Sequence, residues 1–359
     1  MKIPVRSKHG TEQGFVLVAV IVLLTIFAIG AALFSLWTEE RMADAIHMKE
    51  QHQLKLNALS TRNALLYLLA TETVSPLGLE TAASPNATDL SASSPTSGHA
   101  TIPETLLRLN DIPYKGYGDC IFSIQDEAGL LLLNFFSRRS LSHLLGQLGV
   151  PFPEQAPLLD TLLDYQDAND LVRLNGAEHK QYRQAGRQAP PNRQLLTTWE
   201  IAAVLHWRNK VPVQRLARLC TLQHAGALAI NSAASQVIQT LPGLDGSDAE
   251  KILRFREKIP ITNLEQLQMI VGKNVAHLDM EVMFMPSLAH RITFWNPAHN
   301  RAEEWHITLT LFGEHQQPWI IDGPFTFSTI DSFADETFTK NEAQELPFFK
   351  NKISAKGYH

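Results

Sequence analysis

An uncharged apolar run near the N-terminus places the strongest constraint on what this chain can fold into. Phe15 to Trp37 contains no charged side chain, and a helix of that length, rising about 1.5 Å per residue, is about 35 Å long. Such a helix can span a bilayer. A cleaved secretory signal has a shorter apolar stretch that ends in small residues, whereas this run ends in Leu36 and Trp37. We therefore expect residues 15–37 to form a transmembrane helix that stays in the mature protein.

The charges that flank this run predict its orientation. The preceding basic residues are Lys2, Arg6 and Lys8, and the acidic residues Glu39 and Glu40 follow the run. Because positive charge favours the cytoplasmic side of a membrane, the N-terminus is expected in the cytoplasm. The sequence thus predicts a single-pass protein of a bacterial inner membrane, in contact with the lipid bilayer, with a periplasmic body.

The boundary between the polar leader and the apolar run carries a processing motif. The leader stops at Gly14, and Phe15 begins the run directly. A short basic peptide that ends in glycine before an aromatic residue resembles the leader of type IV prepilin-like proteins. This resemblance implies that a prepilin peptidase cuts between Gly14 and Phe15 and removes residues 1–14. The alternative is an uncut single-span anchor, in which the Gly-Phe boundary is accidental.

The fifth residue after this cleavage point is Ala19, where most proteins of the prepilin class carry glutamate. A carboxylate inside hydrocarbon is costly unless it pairs, and its partner in that class is the N-terminal amine of a neighbouring subunit. A subunit with Ala19 cannot form this pair with a subunit ahead of it. That suits the tip of a filament, where no subunit lies ahead; otherwise the chain is not a filament subunit.

Composition excludes several classes of function. The 359 residues carry 31 Lys and Arg against 36 Asp and Glu, a net charge of -5, so no global positive field favours nucleic acid. A charged fraction of 19% with 45% hydrophobic residues indicates a globular protein, although the apolar run inflates the second figure. The sequence contains no HExxH, GxSxG, P-loop, CxxC or dinucleotide-binding glycine motif, so we expect no enzymatic activity.

Hydrophobic patterns predict an α+β body behind the membrane helix. Residues 38–70 continue the helix into the periplasm, since they contain neither proline nor glycine, whereas 71–105 are rich in Ser, Thr, Ala, Pro and Gly and predict a flexible linker. Residues 106–137 and 288–330 show the alternation of a β-sheet, and 117–136 are expected to form a hairpin. The patterns of 138–287 are helical throughout, so a helical domain is inserted into the sheet domain. The predicted helices of the insertion are Leu158–Asp167, Thr197–Arg208, Val213–Thr221, Ala233–Thr240 and Ser247–Lys258. Residues 331–359 form a C-terminal tail without an assigned role.

The insertion contains an acidic segment that predicts a cation. Asp160, Asp164 and Asp167 fall on one face of a helix, and Asp170 lies near the end of that helix, where its dipole is negative. Like charges at this spacing destabilise a helix by a few tenths of a kcal/mol, on the order of 0.2–0.5 for each pair, so a positive partner is expected.

Hard oxygen ligands suit Ca²⁺ as that partner. The candidate ligands are Asp164, Asp167, Asn169, Asp170 and Glu178. The alternative is a solvated acidic surface neutralised by Arg173, Lys180 or Arg183.

Two cysteines exclude a disulfide scaffold but allow one bond. Cys120 and Cys220 would close a loop of about 100 residues, which is nominally worth 4 to 5 kcal/mol in an oxidising periplasm. Cys120 lies in a strand pattern and Cys220 in a helical one, so two separate buried thiols are an equal alternative.

The order of these segments resembles the minor pseudopilin K of type II secretion, also called general secretion pathway protein K. The resemblance covers roughly residues 14–285. Its most specific parts are Asp164-Tyr-Gln-Asp167, Gly176-Ala-Glu178 followed by Tyr182, Asn192-Arg193 and Asn231-Ser-Ala233. It implies a pilin-like α/β domain with a large helical insertion, Ca²⁺ bound in that insertion, and methylation of the processed chain. It also implies a place at the pseudopilus tip, with the minor pseudopilins I and J and the inner-membrane secretion platform as partners.

A competing interpretation comes from the sequence Leu241-Pro-Gly-Leu-Asp-Gly246. This segment resembles a helix-hairpin-helix (SAM-like) unit, whose glycine-rich turn offers backbone N–H groups to a DNA phosphate. A membrane-anchored periplasmic DNA-binding protein is therefore the alternative function. Asp245 and Asp248 beside the turn argue instead for a packing role, without nucleic acid as a partner.

Overall fold

The computed structural model describes residues 13–81, 105–118, 120–223, 226–296, 301–310, 317–328 and 343–350. The chain divides into two units, one that ends at Leu56 and one that begins at Asn57. Helix α1, Gln13–Thr71, is 59 residues long. Among the described residues it is the one helix long and apolar enough to cross a membrane, and none of its most apolar stretch is buried within the protein. An N-terminal apolar helix followed by an α/β body confirms the predicted fold class.

Within the second unit, the last turns of α1 belong to the core of the sheet domain. Leu65, Leu66, Leu68 and Leu69 are buried there. Thr61 fixes the neighbouring loop, because its hydroxyl accepts a hydrogen bond from the backbone N–H of Tyr117 at 3.0 Å. These four leucines lie in residues 38–70, which the sequence predicted to continue the helix.

The second unit is built on a six-stranded sheet with strand order β12-β11-β10-β5-β4-β13. The strands are β4, Asn110–Lys115; β5, Ile121–Asp126; β10, Ala289–Asn296; β11, Arg301–Leu309; β12, Trp319–Ser328; and β13, Gln344–Glu345. Neighbouring strands are antiparallel, except that β13 runs parallel to β4. Phe122, Ile124, Ile292 and Ile307 bury their side chains in the same core as α1. The sheet is therefore assembled from both sequence segments that flank the insertion.

A small sheet lies partly in the segment predicted as linker. Its strands are β1, Thr73–Ser75; β2, Gly78–Glu80; and β3, Leu106–Arg108. Leu79 is fully buried, and the three strands pair antiparallel in the order β1-β2-β3. The predicted linker boundary at 71 is thus corrected, because Leu79 reaches the main core. Residues 82–104 of that linker lie outside the described residues.

The hairpin predicted over 117–136 is also corrected. Strand β5 ends at Asp126, a 3₁₀ turn covers Glu127–Gly129, and the next strand, β6, is only Leu131–Leu132. Strand β6 pairs with β7, Cys220–Thr221, and not with β5. Both edges of β5 are already taken by β4 and β10, so the chain leaves the sheet at this point.

The regular structure of the insertion is predominantly helical, and the insertion has two apolar cores. Its helices are α2, Arg138–Gln147; α3, Phe152–Gln166; α4, His179–Gln184; α5, Trp207–Lys210; α6, Val213–Leu219; α7, Ser235–Ile238; α8, Gly246–Arg256; and α9, Leu264–Val271. Besides β7 it contains the two-residue strands β8, Leu228–Ala229, and β9, Val282–Met283, so it is not entirely helical. Residues 197–208, predicted as one helix, form a 3₁₀ helix over Thr198–Ala203 followed by α5. Trp207 lies at the centre of the first core, and Ile252 in the second.

Part of the predicted C-terminal tail belongs to the sheet domain. After β13 comes a one-turn helix, α10, Pro347–Lys350. Leu346 and Phe349 are buried in the same core as α1, and the Phe349 ring lies 5.3 Å from that of Phe122. Lys115 forms a 2.8 Å ion pair with Glu345 beside them. Residues 351–359 and 329–342 lie outside the described residues.

An ionic cluster joins the sheet to the insertion. His306 of β11 contacts Glu127 through Nδ1 at 2.5 Å and Glu304 through Nε2 at 3.2 Å. All three side chains are buried, and Thr221 of β7 donates its hydroxyl hydrogen to Glu127. Although burial lowers the pKa of His306, its contacts with the two carboxylates raise it from 6.5 to about 9, so the ring is an imidazolium ion at neutral pH. Arg291 of β10 lies beside them, 3.7 Å from Glu304.

A second junction is centred on Asp126 at the end of β5. Its carboxylate accepts hydrogen bonds from the hydroxyls of Ser232 at 3.0 Å and Ser287 at 2.6 Å. The side chain of Asn231, next to Ser232, donates to the backbone carbonyls of Ile261 and Phe284 at 2.7 and 2.9 Å and accepts the backbone N–H of Ile261 at 3.0 Å. The Asn231-Ser-Ala233 motif thus has a structural role at the start of the second half of the insertion.

Candidate functional site

Helix α3 delivers the first two carboxylates of the acidic segment to buried positions. Asp160 and Asp164 are 7% and 0% exposed. Asp160 is neutralised by Arg138 at 2.8 Å. Asp167 is the residue after the last turn, with extended backbone, so the helix ends one residue before the predicted boundary. The three aspartates are therefore not all on one helical face.

Arg173 brings Asp164 and Asp167 together. Its Nη1 lies 2.5 Å from Asp164 Oδ1 and also contacts Asp167 Oδ2, and its backbone N–H donates to Asp164 Oδ2 at 3.2 Å. These hydrogen bonds raise the pKa of the guanidinium further above its usual value. One of the three cations that the sequence offered as partners, Arg173, is thus in contact with the acidic segment.

Glu178 is the uncompensated member of the group. Its side chain is 2% exposed, and neither carboxylate oxygen has a hydrogen-bond partner in the described part of the chain. Burial raises its pKa to about 7, helped by the negative charges of Asp164, Asp167 and Asp170 and opposed by Arg173. A buried, unpaired carboxylate is costly, so this position calls for a proton or a cation.

Asn169 and Asp170 belong to the loop between α3 and α4. Asp167 accepts the backbone N–H of Asn169 at 3.2 Å, and the Asn169 side chain accepts that of Leu171 at 2.8 Å. Asp170 is exposed and accepts a hydrogen bond from the side chain of Asn192 at 2.9 Å. Their side-chain oxygens are thus partly used in shaping the loop.

Asn192 is a residue of the site that the ligand prediction missed. It adopts a positive φ of 50° and also donates to the backbone carbonyl of Asn169 at 3.3 Å. Its own side-chain oxygen is buried without a hydrogen-bond partner among the described residues. Its place in the Asn192-Arg193 motif was the one available signal in the sequence.

Gly176 makes room for the buried aspartate. A Cβ at this position would lie 1.8 Å from Asp164 Oδ2. Only glycine permits that approach, so the Gly176-Ala-Glu178 motif follows from the position of Asp164 and leads directly to Glu178 at the start of α4.

The donor set suits a hard cation in its chemistry. Glu178 and Asn192 have buried oxygens that find no hydrogen-bond partner among the residues the structure describes, and Asp164, Asp167 and Asp170 add negative charge. In the present arrangement the Arg173 guanidinium is the positive charge between two of the aspartates. Within the described ranges, no three His, Cys, Asp or Glu side chains form a ready-made metal cluster. Ca²⁺ therefore fits the chemical type of these ligands, and it would compete with the Arg173 guanidinium for Asp164 and Asp167.

The comparison with protein families selects this same region. Residues 132–225 match the type II secretion system (T2SS), protein K family. The match covers about a quarter of the 359 residues and includes α2 to α6 with the whole acidic loop. The recognition made from the sequence is thereby confirmed for this protein K segment.

Two further comparisons complete the picture. A solved structure, the GspK-GspI-GspJ complex of the type 2 secretion system from enterotoxigenic Escherichia coli, is similar with a TM-score of 0.47 and 14% sequence identity. The similarity covers 78% of this chain and 97% of that chain. No curated protein matches the chain.

The two cysteines remain free thiols in separate cores. Cys220 is buried in the core of the protein K segment, and Cys120 in the core shared by α1 and the sheet. Burial raises the pKa of Cys120 to about 12 and that of Cys220 still further. The structure thus agrees with the second of the two alternatives, two separate buried thiols, because each sulfur packs with a different set of apolar side chains.

The helix-hairpin-helix turn lies beyond the protein K segment and is closed by the chain's own charges. Asp245 accepts the backbone N–H of Asp248 at 3.1 Å at the start of α8. Lys273 contacts Asp245 at 2.9 Å and Asp248 at 2.5 Å. The two aspartates beside the turn are therefore engaged with Lys273 and with the start of α8 within the unit, which supports the packing role.

The processing residues Gly14 and Phe15 lie within the first turns of α1. Residues 1–12, the remainder of the predicted leader, lie outside the described residues.

Proposed function

We propose that the chain is a minor pseudopilin at the tip of a type II secretion pseudopilus, where it supports protein export across the outer membrane. The observation that carries this proposal is the protein K match over residues 132–225, in a chain that also has an apolar N-terminal helix preceded by Gly14. The flanking charges of that helix support a cytoplasmic N-terminus and a periplasmic body.

The proposed position at the tip follows from what the apolar helix and the insertion each do in the assembly. The apolar helix bundles with those of other pseudopilins, first in the membrane with the secretion platform and then in the filament. The large helical insertion would clash if it were repeated along a tightly packed shaft, so one copy at the end is the expected stoichiometry. Ala19 supports the same position, since it lacks the carboxylate that pairs with a subunit ahead.

Co-expression with a prepilin peptidase and the I-type and J-type minor pseudopilins tests this proposal. We expect cleavage between Gly14 and Phe15, a methylated Phe15 at the new N-terminus, and one copy of the chain in a complex with both partners. Intact-protein mass spectrometry of the purified complex reads all three results.

The matched control is Gly14→Val, which blocks cleavage but leaves the apolar helix unchanged. An uncut wild-type chain in the presence of active peptidase would return the protein to the class of simple anchors. Several copies of the chain per complex would contradict the tip position.

We also propose that the acidic loop binds Ca²⁺ with a structural role. Asp164, Asp167, Asn169, Asp170 and Glu178 are the predicted ligands, and the Asn192 side-chain oxygen is added from the structure. Ca²⁺ would supply the positive charge that the Glu178 carboxylate lacks. The chain's own residues hold the loop: Gly176 admits Asp164, and Asn192 fixes Asp170.

Excess Ca²⁺ is expected to raise the melting temperature of the full chain, and a chelator is expected to lower it. A ligand at about 100 times its dissociation constant stabilises the native state by about 2.7 kcal/mol. Glu178→Gln removes one ligand charge and also relieves the repulsion from the aspartates. This variant should therefore be more stable than the wild type in chelator and less stable in Ca²⁺, as measured by thermal unfolding.

Glu250→Gln is the control, because Glu250 is exposed on α8 and pairs with Arg254 in the same helix. It should leave the Ca²⁺ response intact. Identical melting of the wild type in Ca²⁺ and in chelator would rule the metal out.

A further inference from the structure

Arg173 occupies oxygens that the proposed Ca²⁺ site needs. Its Nη1 contacts Asp167 Oδ2 and lies 2.5 Å from Asp164 Oδ1, and its backbone N–H donates to Asp164 Oδ2 at 3.2 Å. Both aspartates are predicted ligands of Ca²⁺. Two cations in contact with the same carboxylates would repel each other, and more strongly here than in water, because Asp164 is fully buried. The guanidinium and a metal ion are therefore alternative occupants of this part of the loop.

The guanidinium satisfies only part of the loop. Glu178 is 2% exposed, and neither of its carboxylate oxygens has a hydrogen-bond partner among the described residues. The buried side-chain oxygen of Asn192 likewise finds no partner in that part of the chain. Ca²⁺ takes about six to eight oxygen ligands, so it can serve these groups together with the aspartates. The loop with Arg173 in place is folded but not fully satisfied, which leaves a driving force for an exchange.

The Arg173 side chain can leave without unfolding the loop. It is 35% exposed, whereas the side chain of Asp164 is 0% exposed. The backbone N–H of Arg173 holds Asp164 independently of the guanidinium, and Asn175 donates its N–H and its side-chain amide to Asp160 at 3.4 and 3.3 Å. The exchange therefore needs a new Arg173 rotamer and no rearrangement of the backbone. A guanidinium that turns into water regains its hydration, which limits the cost of its release.

We propose that Arg173 is a built-in counter-ion of the acidic loop, which holds Asp164 and Asp167 when Ca²⁺ is absent and turns into solvent when Ca²⁺ binds. This inference rests on the proposed Ca²⁺ site and adds its regulation. Because the metal binds only those molecules from which the guanidinium has moved away, the apparent affinity is lowered by that fraction. Arg173 thereby sets the Ca²⁺ concentration at which the loop is loaded.

Replacing Arg173 by glutamine should tighten Ca²⁺ binding while it destabilises the metal-free protein. The Ca²⁺ dissociation constant is expected to fall at least about tenfold, because the competing cation is gone. The melting temperature in chelator is also expected to fall, since Asp164 and Asp167 lose their positive partner. In saturating Ca²⁺ the variant and the wild type should melt alike. If Arg173 only held the loop in shape, its loss would instead weaken both Ca²⁺ binding and stability.

Isothermal titration calorimetry of the full chain in a neutral detergent, with CaCl₂ as the titrant, measures these dissociation constants. Each protein is purified in Ca²⁺ and then stripped with chelator, so that the variants fold in the loaded state. Arg183→Gln is the matched control, because Arg183 is an exposed cation of α4 that contacts His179 at 3.2 Å. It should change the dissociation constant by less than about twofold. Arg173→Lys restores a positive charge and should return the constant toward the wild-type value.

Chemical modification of the wild-type chain measures the release of Arg173 directly. Phenylglyoxal reacts with accessible guanidinium groups, and peptide mass spectrometry gives the rate at each arginine. Modification of Arg173 should be several-fold faster in saturating Ca²⁺ than in chelator. Arg254, which is 80% exposed on α8, should react equally fast under both conditions.

Two results would overturn the exchange while leaving the metal site in place. One is an Arg173→Gln variant that binds Ca²⁺ no more tightly than the wild type. The other is a rate of Arg173 modification that Ca²⁺ leaves unchanged or lowers although the wild type binds the metal. If none of the proteins bound Ca²⁺, the proposed metal site itself would be wrong, and the exchange with it.

Discussion

Replacing Arg291 by methionine is expected to lower the free energy of unfolding by about 3–5 kcal/mol, because it breaks a buried ionic cluster by removing one partner. The guanidinium lies between the sheet and the insertion. It faces Glu304 on its own sheet and donates to the backbone carbonyls of Ala217, Arg218 and Cys220 at 2.6–3.4 Å.

The large effect comes from the groups that the substitution leaves behind. Methionine fills most of the volume, so the loss of packing is small. Among the described residues, Glu304 and Glu127 would remain buried with His306 beside them, and the three carbonyls would lose the Arg291 donor. Each buried polar group without a partner costs about 1–3 kcal/mol.

Urea unfolding of the full chain in a neutral detergent, followed by tryptophan fluorescence, measures this effect, since Trp207 is fully buried in the insertion. Arg254→Met is the control, because Arg254 is 80% exposed and pairs with Glu250 on the surface of α8. The Arg254→Met variant should lose less than about 0.5 kcal/mol in its free energy of unfolding. Comparable stabilities of the two variants would show that the cluster does not hold the insertion to the sheet.

Raising the pH through about 9 is expected to cost the protein about 3 kcal/mol of stability. Burial would lower the pKa of His306, but its hydrogen bonds to Glu127 and Glu304 and their charges outweigh burial and raise the pKa from 6.5 to about 9. A group whose pKa is higher in the folded state stabilises the protein fully below its unfolded pKa. This stability is therefore complete below pH 6.5 and is lost as the pH rises to about 9.

Most of the other groups with a shifted pKa act outside this window. Glu178 overlaps its acidic end, because burial and the negative charges of Asp164, Asp167 and Asp170 raise its pKa from 4.5 to about 7. Burial lowers the pKa of His290, despite the charges of Asp126 and Glu127, so its contribution ends near pH 6.5. Burial also opposes ionisation of Glu127, but its contacts with His306 and Arg291 lower its pKa, so Glu127 acts at acidic pH. The buried thiol of Cys120, with a pKa of about 12, begins to destabilise the protein only above pH 9.

His306→Gln isolates the effect, because glutamine keeps a polar side chain but does not titrate. Its urea-unfolding free energy should be lower than that of the wild type at pH 6.5 and should change little up to pH 9. The difference between the two proteins should shrink across the same interval. A wild-type stability that is flat from pH 6.5 to 9 would contradict an imidazolium in the cluster.

Much of the fold is predictable from sequence where a pattern is long. The uncharged run of α1 and the alternation of Trp305, Ile307 and Leu309 in β11 each predict their element by themselves. The short strands β1, β2 and β13 are not predictable in this way. Each has two or three residues and is stabilised by pairing with a neighbouring strand. A stretch such as Thr73–Ser75 carries too few residues for a period, so composition alone indicated a linker.

The candidate site was predictable in its residue types and less so in its geometry. Charge repulsion between Asp160 and Asp164 indicated that a cation was needed, and Arg173 is in contact with the group. The burial of Glu178 and the role of Asn192 depend on how the loops fold back on α3. That arrangement depends on contacts such as the one between Gly176 and Asp164. The spacing of residues in the sequence does not predict such contacts.

The pairing of β5 with β10 sets the order in which this chain can fold. Asp126 pairs with His290, so the central strands meet only after the whole insertion between them has been synthesised. Bringing such distant residues together carries a large loop-closure entropy, and proteins with many long-range contacts fold slowly. The two cores of the insertion draw on residues much nearer in sequence, so we expect them to condense first and to shorten the effective loop that the sheet must close. The insertion would then serve as the nucleus on which the sheet completes itself, with β13 as the last strand to arrive.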